Sequence, residues 1–300
     1  MPKPDTAALR GSIPPLLTPF RGDALDPESF ERLLEHQIAG GSHGVLVNGT
    51  TSEPASLTVA ERKDQLEFAL RVVAGRVPVV AATGSQSLLE TLELSRHASE
   101  AGAAALLIVT PYYVRPPQRG IVAFYERVTD GLETPWMVYH IPGRAAVGVT
   151  LETLAELWET SATFVGMKHA SPDLALVSAA LHRFGPEFRV FVGLEELSFP
   201  MLALGACGLM NAVGNLRPAQ LAAMCDAVER GDLFAARALH YALLELNEAV
   251  FWDTNPIPMK YLARRLGLIA AHDLRLPLLP PAPDLRERLD ALLARLAEAS

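Results

Sequence analysis

The chain lacks the residues and motifs that mark several classes of protein. Its 300 residues include two cysteines, Cys207 and Cys225, neither of them in a CxxC or CxxH pattern. Such spacing excludes a disulfide framework and a cysteine-based zinc site. The eight histidines form no HxH or HExxH pattern, which predicts that no metal is bound. No GxSxG occurs, which argues against the usual serine hydrolases.

Long runs of basic residues and long runs of apolar residues are also missing. No run of Lys or Arg stands out and the formal net charge is -8, so we expect no nucleic-acid partner. No stretch of 18 uncharged apolar residues occurs, which predicts no membrane span. The N-terminus shows no apolar segment followed by a cleavage site. Half of the residues are hydrophobic, and we expect a soluble, cytoplasmic protein with a sizeable core.

A strand-like run followed by a helical pattern recurs eight times. The runs are continuously apolar rather than alternating, as a parallel sheet covered on both faces requires. Eight such units in about 220 residues predict an α/β fold, a (β/α)8 TIM barrel. A doubly wound sheet is the alternative, but neither GxGxxG nor GxxxxGK[ST] is present. The predicted strands are 12–18, 44–48, 77–83, 104–110, 136–140, 163–168, 188–193 and 207–212.

Three further helical patterns follow the eighth unit, at 233–251, 255–267 and 282–299. No Ser- or Gly-rich linker precedes them. We therefore predict two domains, a barrel over 1–231 that carries the active site and a C-terminal helical domain over 232–300.

Barrel enzymes keep their chemistry at the carboxyl ends of the strands. The predicted strand 163–168 ends on Lys168, although lysine is seldom buried. If Lys168 points inward, Met167 and His169 point to the helices. Tyr139 lies on the inward face of the adjacent strand by the same alternation. The other strand ends supply Thr50, Thr51, Tyr112, Tyr113, Arg144, Glu195, Glu196, Asn211 and Asn215.

A lysine in an apolar barrel mouth has a specific chemistry. Desolvation disfavours the ammonium, and a neutral amine can attack a ketone to form an imine. A nearby tyrosine can carry protons, and N–H and hydroxyl groups of the sequence GTT at 49–51 can hold a carboxylate. This set predicts a 2-oxo acid substrate, with pyruvate the simplest. We expect a covalent imine on Lys168 and no metal or organic cofactor.

Six segments carry a resemblance to a known family. In this order along residues 11–280, they resemble the family of dihydrodipicolinate synthase and N-acetylneuraminate lyase, the pyruvate-dependent class I lyases. The resemblance implies the same barrel, a helical C-terminal domain and a homotetramer or dimer. The segments are GTTSE (49–53), TPYYVRP (110–116), YHIPGR (139–144), VGMKHAS (165–171), NPIPMK (255–260) and LRLPLLP (274–280).

The resemblance also implies catalytic roles. Lys168 resembles the Schiff-base lysine and Tyr139 the general acid/base. Thr50 resembles the threonine that links two tyrosines in a proton relay. Tyr113 resembles the relay tyrosine that a neighbouring subunit inserts into the site.

Further positions resemble or are predicted to form the substrate-binding set. Thr51 resembles the residue that binds the pyruvate carboxylate, and Arg144 the residue that binds the carboxylate of a second substrate in the synthase branch. Gly193, Glu195 and Asn211, at the ends of the last two predicted strands, complete the predicted set.

Departures from the family pattern leave alternatives open. Ser52 replaces a glycine, His169 an acidic residue, and GLEE (193–196) the Gly-Asp-Asp of the synthase branch. The first hypothesis is condensation of pyruvate with aspartate semialdehyde, which Arg144 favours. The second is an aldolase or dehydratase of 2-keto-3-deoxy sugar acids, which the two glutamates favour unless they only cap a helix. The third is a barrel that binds a 2-oxo acid without catalysis.

Overall fold

A computed structural model describes residues 3–298. Eight of the ten strands form one parallel sheet in the order β1-β10-β9-β8-β7-β6-β5-β4. A parallel bridge from Pro15, beyond β1, to Leu46 in β4 joins the two edges. The (β/α)8 barrel is confirmed. The strands are β1 (Gly11–Ser12), β2 (Phe20–Arg21), β3 (Ala24–Leu25), β4 (Val45–Val47), β5 (Val79–Ala82), β6 (Ala105–Val109), β7 (Trp136–His140), β8 (Phe164–His169), β9 (Arg189–Val192) and β10 (Gly208–Leu209), with β2 and β3 paired as a separate hairpin.

The helices follow the strands as the sequence predicts. The segment 195–205 after β9 holds a 3₁₀ turn and a short α-helix, and the predicted helix 233–251 is two helices that meet at Leu243. No described helix is long and apolar enough to cross a membrane. The helices are α1 (Pro27–Ala39), α2 (Val59–Val73), α3 (Leu88–Glu100), α4 (Gln118–Thr129), α5 (Pro142–Ala145), α6 (Leu151–Thr160), α7 (Leu174–Phe184), α8 (Ser198–Ala203), α9 (Pro218–Glu229), α10 (Leu233–Ala242), α11 (Leu244–Ala249), α12 (Ile257–Arg265) and α13 (Pro283–Glu298).

Local capping explains where several helices begin. Helix α2 starts with a capping box, in which the Thr58 hydroxyl accepts from the Glu61 N–H and the Glu61 carboxylate accepts from the Thr58 N–H. This arrangement satisfies two N–H groups that the first turn leaves unpaired. Asp26, Ser87 and Asp173 cap α1, α3 and α7 in the simpler way, with one side-chain oxygen each.

The buried apolar side chains form two layers. One cluster fills the barrel and includes Met137 and Tyr139. The other lies between strands and helices and includes Trp136, Val138 and Met167. The predicted facing of β7 and of Met167 is therefore confirmed, and Tyr139 points into the barrel.

The C-terminal helices share the outer layer with the barrel. Leu246 of α11 and Met259 of α12 belong to the same buried cluster as Val45 and Val138 of the barrel strands. This core continues across residue 231. The division into a barrel domain over 1–231 and a helical domain over 232–300 stays a prediction. Residues 1–2 and 299–300 of the predicted domains, and residue 299 of the last predicted helix, lie outside the described residues.

A bulge in β8 turns Lys168 into the barrel. Phe164 and Met167 both lie in the outer cluster although they are three positions apart, whereas a regular strand alternates its faces with a period of two. The pairing of β7 with β8 shifts between Trp136 and Met137, which absorbs one extra residue of β8. In a regular strand counted from Phe164, Met167 would face the barrel interior and Lys168 would point to the helices.

Glycine at position 166 makes the bulge possible. A Cβ atom there would lie 1.9 Å from the Arg189 carbonyl oxygen of β9. No side chain fits at that distance, because the neighbouring atom belongs to the backbone of a paired strand. The positive φ of 156° also disfavours any residue with a Cβ atom.

Two histidines join the same strands on the outer side. His140 of β7 and His169 of β8 are register partners, both are buried, and their Nδ1 atoms lie 3.0 Å apart. One Nδ1–H must donate to the other Nδ1, so the accepting ring is neutral and carries its proton on Nε2. Burial, with a smaller contribution from the neighbouring His169, lowers the pKa of His140 to about 4. Burial also lowers the pKa of His169, against the opposing charge of Asp173.

The first prediction concerns the bulge. Replacement Gly166→Ala should lower the free energy of unfolding by about 2 kcal/mol, because the methyl group must displace paired backbone. Urea denaturation followed by circular dichroism measures this change. Gly120→Ala in α4 is the control, since its Cβ would lie no nearer than 3.5 Å to any neighbour. Equal stability of the two variants would contradict the role given to Gly166.

The second prediction concerns pH. The folded state binds the His140 proton less tightly than the unfolded state, so the free energy of unfolding should fall as pH drops from about 6.5 to about 4. The contribution of His140 is about 3 kcal/mol over this window. Urea denaturation across that pH range should show a weaker pH dependence in His140→Asn than in the wild type. The control, exposed His182→Asn, should keep the wild-type dependence, and an unchanged dependence in His140→Asn would refute the prediction.

Candidate active site

Lys168 lies near the carboxyl end of β8 and faces the barrel interior, opposite Tyr139 in the β7–β8 register. Its side chain is 3% exposed, and its Nζ atom lies 4.6 Å from the centre of the Tyr139 ring. The Lys168 chain passes over Gly193, where a Cβ atom would come within 2.6 Å of Lys168 Cε. Gly193 therefore leaves the space in which the lysine extends.

The turn after β4 brings two threonines to the same place. It consists of a 3₁₀ turn, Thr50–Ser52, that ends in Glu53 with a left-handed backbone. The Thr50 hydroxyl lies 3.2 Å from the Tyr139 hydroxyl. Thr51 is buried, and its Oγ1 accepts a hydrogen bond of 3.0 Å from Asn255 Nδ2. Ser52 stands where the family has glycine, and its hydroxyl donates to the Leu16 carbonyl at 2.6 Å.

These side chains line one cavity in the mouth of the barrel. A second cavity, with a volume of about 580 Å³, shares Thr50, Tyr139 and Arg144 with it. Because the two cavities share these residues, Lys168 in the first cavity lies beside a space large enough for a small molecule. The first cavity is lined by Pro15, Thr50, Thr51, Tyr139, Ile141, Arg144, Lys168, Gly193, Glu195, Met210, Ala212, Phe251 and Asn255.

Arg144 supplies a positive charge at the rim. It lies in the short helix α5 and is exposed. Its Nη2 donates to the Asn255 backbone carbonyl at 3.3 Å. The guanidinium has further N–H donors, which leaves it able to hold a carboxylate.

Glu195 is a buried carboxyl group in the cavity wall. Its Oε1 accepts a hydrogen bond of 2.6 Å from the Ala212 N–H, at the first residue of a 3₁₀ turn. Burial raises the pKa of Glu195 to about 7, although that hydrogen bond and the nearby Lys168 charge both act to lower it. Glu196 is exposed and does not line the cavity. Glu195 thus caps a turn and faces the site at the same time.

Two predicted site residues lie outside the cavity wall. Asn211 is buried, and its amide donates to Ser198 Oγ at 2.6 Å. Tyr113 is 88% exposed and has a positive φ of 76°, a conformation that is unusual for a bulky residue. The roles given to both residues stay predictions.

Several residues that line the cavity are not among the predicted site residues. Pro15, Ile141, Met210 and Phe251 are apolar wall residues, and nothing in their local sequence marks them. Asn255 stands in the segment NPIPMK, which carried the resemblance, but it comes from the C-terminal helices rather than from a strand end. Among residues 3–298, no three His, Cys, Asp or Glu side chains are grouped so that they could hold a metal ion. The expectation that the site uses no metal or organic cofactor stays a prediction.

The arrangement can support nucleophilic chemistry by an amine. A buried lysine beside a tyrosine hydroxyl combines a nucleophile with a proton carrier. The Thr50 hydroxyl extends the path for protons, and Thr51 and Arg144 offer donors for negative charge. These side chains meet although they come from the turn after β4, from β7, from β8 and from α5.

The comparisons with known proteins agree with this geometry. The model of the Dihydrodipicolinate synthetase family matches residues 8–296. The chain is 46% identical over 287 residues to the 4-hydroxy-tetrahydrodipicolinate synthase of Thermus thermophilus, covering 95% of this chain and 96% of that protein. The crystal structure of dihydrodipicolinate synthase from Aquifex aeolicus superposes with a TM-score of 0.93 at 35% identity, over 95% of this chain and 97% of that one.

A second solved structure gives the same result. The 4-hydroxy-tetrahydrodipicolinate synthase of Methylacidiphilum fumariolicum SolV is 32% identical, has a TM-score of 0.94 and covers 96% of each chain. The family model spans nearly all of the described residues, and the relatives are matched over nearly their whole length. The chain therefore belongs to the dihydrodipicolinate synthetase family.

Proposed function

We propose that the chain is a 4-hydroxy-tetrahydrodipicolinate synthase, which condenses pyruvate with aspartate semialdehyde in the synthesis of diaminopimelate and lysine. The proposal rests above all on Lys168, a buried amine held against Tyr139 in the barrel mouth. Relatives of nearly equal length that carry this name support it. The predicted cytoplasmic location is part of the proposal.

The chemistry begins at the Lys168 amine. The neutral amine attacks C2 of pyruvate, and Tyr139 gives a proton to the carbinolamine oxygen, so that water leaves and an imine forms. Thr51 donates to the pyruvate carboxylate. Loss of a proton from C3 then yields an enamine, because the protonated imine accepts the electron pair. No metal or organic cofactor takes part.

The second half of the reaction joins the two substrates. The enamine C3 attacks the aldehyde carbon of aspartate semialdehyde, whose carboxylate is held by Arg144. The amino group of that substrate then attacks C2 and displaces Lys168, which closes the ring and frees the enzyme. Thr50, at hydrogen-bond distance from the Tyr139 hydroxyl, passes protons between Tyr139 and the rest of the relay.

Tyr113 completes the relay from a neighbouring copy in this proposal. Its side chain is almost fully exposed and stands in a loop after β6, outside the cavity of its own chain. An exposed tyrosine held by a left-handed backbone is suited to enter a partner's site. A homotetramer or dimer follows, in which each subunit supplies one tyrosine.

The sugar-acid alternative has less support from the side chains. It needs two glutamates that read hydroxyl groups, but Glu196 is exposed and does not line the cavity. Glu195 faces the cavity with one oxygen already bound to Ala212 N–H. The exposed Arg144 at the rim instead favours an aldehyde that bears a carboxylate.

The third prediction tests the imine. Borohydride reduction in the presence of pyruvate should give a stable adduct on the peptide that carries Lys168, detected by mass spectrometry. Lys168→Arg should give none, because a guanidinium does not form the imine. Lys260 provides an internal control: it is equally buried but forms an ion pair of 2.5 Å with Glu53, and it should stay unmodified. Absence of any adduct in the wild type would disprove the mechanism.

The fourth prediction tests the second substrate. Arg144→Gln should raise the KM for aspartate semialdehyde about tenfold or more, since a charge-assisted hydrogen bond is lost. The pyruvate concentration that gives half-maximal borohydride trapping should stay within about twofold of the wild type. Steady-state kinetics and trapping measure the two quantities. The control is exposed Arg71→Gln, which should change neither, and turnover of sugar aldehydes in preference to aspartate semialdehyde would favour the alternative.

A further inference from the structure

Asn255 makes two contacts that join the substrate-binding residues. Its Nδ2 donates to Thr51 Oγ1 at 3.0 Å, and its backbone carbonyl accepts from Arg144 Nη2 at 3.3 Å. The side chain is 8% exposed and lines the cavity that holds Lys168. One residue of the C-terminal segment is therefore bonded to both of the residues proposed to hold substrate carboxylates.

The bond to Thr51 determines what its hydroxyl can do. A hydroxyl group has one proton to donate and two lone pairs that accept. Asn255 Nδ2 occupies an accepting position of Thr51, and the Thr51 hydroxyl donates no hydrogen bond to any other described residue. The proton is thus available to an anion in the cavity.

Asn255 also carries an unused acceptor. Its Oδ1 is buried and has no hydrogen-bond partner among the described residues. A buried acceptor left without a partner costs free energy. The Asn255 side chain is therefore not held in place by a hydrogen bond to its Oδ1. Only its Nδ2 group makes a hydrogen bond, the one to Thr51.

A buried ion pair fixes Asn255 relative to the threonine turn. Lys260, in the helix that begins at Ile257, and Glu53, two residues after Thr51, have fully buried side chains whose Nζ and Oε1 atoms lie 2.5 Å apart. The Lys260 ammonium also donates to the Asp273 carbonyl at 2.6 Å. The turn and the C-terminal segment are thus joined at two points, which restricts how Asn255 can move against Thr51.

We propose that Asn255 is a positioning residue, which orients the Thr51 hydroxyl so that its proton points to the carboxylate of the 2-oxo acid. The inference rests on the proposed function and adds the group that sets the direction of the hydroxyl. Through its backbone carbonyl Asn255 also fixes the distance between the Thr51 and Arg144 donors. The spacing of the two bound carboxylates is then set by a single residue of the C-terminal segment.

The test uses borohydride trapping, which needs pyruvate alone. Asn255→Asp has the same shape but no N–H, so the Thr51 hydroxyl must donate to the aspartate, whose charge also repels the substrate carboxylate. The pyruvate concentration for half-maximal trapping should rise about tenfold or more. The extent of trapping at saturating pyruvate should stay that of the wild type, because Lys168 and Tyr139 are unchanged.

A double-mutant cycle separates positioning from simple packing. Asn255→Ala should raise the half-saturating concentration in the wild type, but by no more than about twofold in a Thr51→Val background. A packing role would give the same increase in both backgrounds. Asn247→Ala is the matched control, because this asparagine is also buried in the C-terminal helices but lies outside the cavity wall. It should leave half-saturation unchanged even if it lowers stability.

The outcomes distinguish this inference from the proposed function. No adduct in the wild type would refute the proposed function itself. An adduct in the wild type, with unchanged half-saturation in Asn255→Asp and Asn255→Ala, would refute only the role of Asn255. Equal effects of Asn255→Ala with and without Thr51 would refute it as well. If Asn255→Asp does not fold, the alanine cycle decides alone.

Discussion

The site depends on the direction in which one side chain leaves one strand. A lysine ammonium is costly to bury, and the shift in pairing between β7 and β8 places Lys168 inside the barrel rather than between strand and helix. Gly166 permits that shift, since no Cβ atom fits against the Arg189 carbonyl. Gly193 then leaves space for the extended lysine. One glycine in β8 and another directly after β9 thus determine where the nucleophile lies.

Two pairs of buried polar groups lie around the barrel. Lys260 and Glu53 form an ion pair, and His140 and His169 share a hydrogen bond on the outer side of the strands that carry Tyr139 and Lys168. Burial lowers the pKa of Lys260 to about 8, while the attraction of Glu53 acts to raise it. Removing one partner of a buried ion pair lowers the free energy of unfolding, because the other partner is left buried and uncompensated. The two pairs fix neighbouring strands and turns in register, because neither partner tolerates being left alone.

The C-terminal helices are part of the catalytic architecture. Their apolar residues share the outer core of the barrel, and the segment from Asn255 to Lys260 contacts the turn that carries Thr50 and Thr51. In a (β/α)8 barrel the strand ends supply the reacting groups. Here a segment far along the chain supplies bonds that hold those groups in position. This dependence explains why a barrel cut at residue 231 would lose contacts to the active site as well as part of its core.

The order of elements was predictable from the sequence, because continuous apolar runs and helical periodicity depend on residues close together in the chain. The same local logic identified Lys168 and Tyr139, since a polar residue at the end of a buried strand is conspicuous. The capping of α2 by Thr58 and Glu61 is equally local. The resemblance of six short segments added the expected roles of Thr50, Thr51 and Arg144, and the structure brings all three to the cavity of Lys168.

Other features depended on contacts between distant parts of the chain. Regular alternation counted back from Lys168 would place Phe164 inside the barrel, and only the pairing with β7 reveals the bulge that turns it outward. The contact of Asn255 with Thr51 joins residues 204 positions apart, and the exposure of Tyr113 depends on how its loop folds. The sequence by itself determined the elements and the identity of the nucleophile, because these follow from local pattern. Only the tertiary structure decided which groups hold that nucleophile and its neighbours in place, because hydrogen bonds and steric fit act between atoms that the linear order does not bring together.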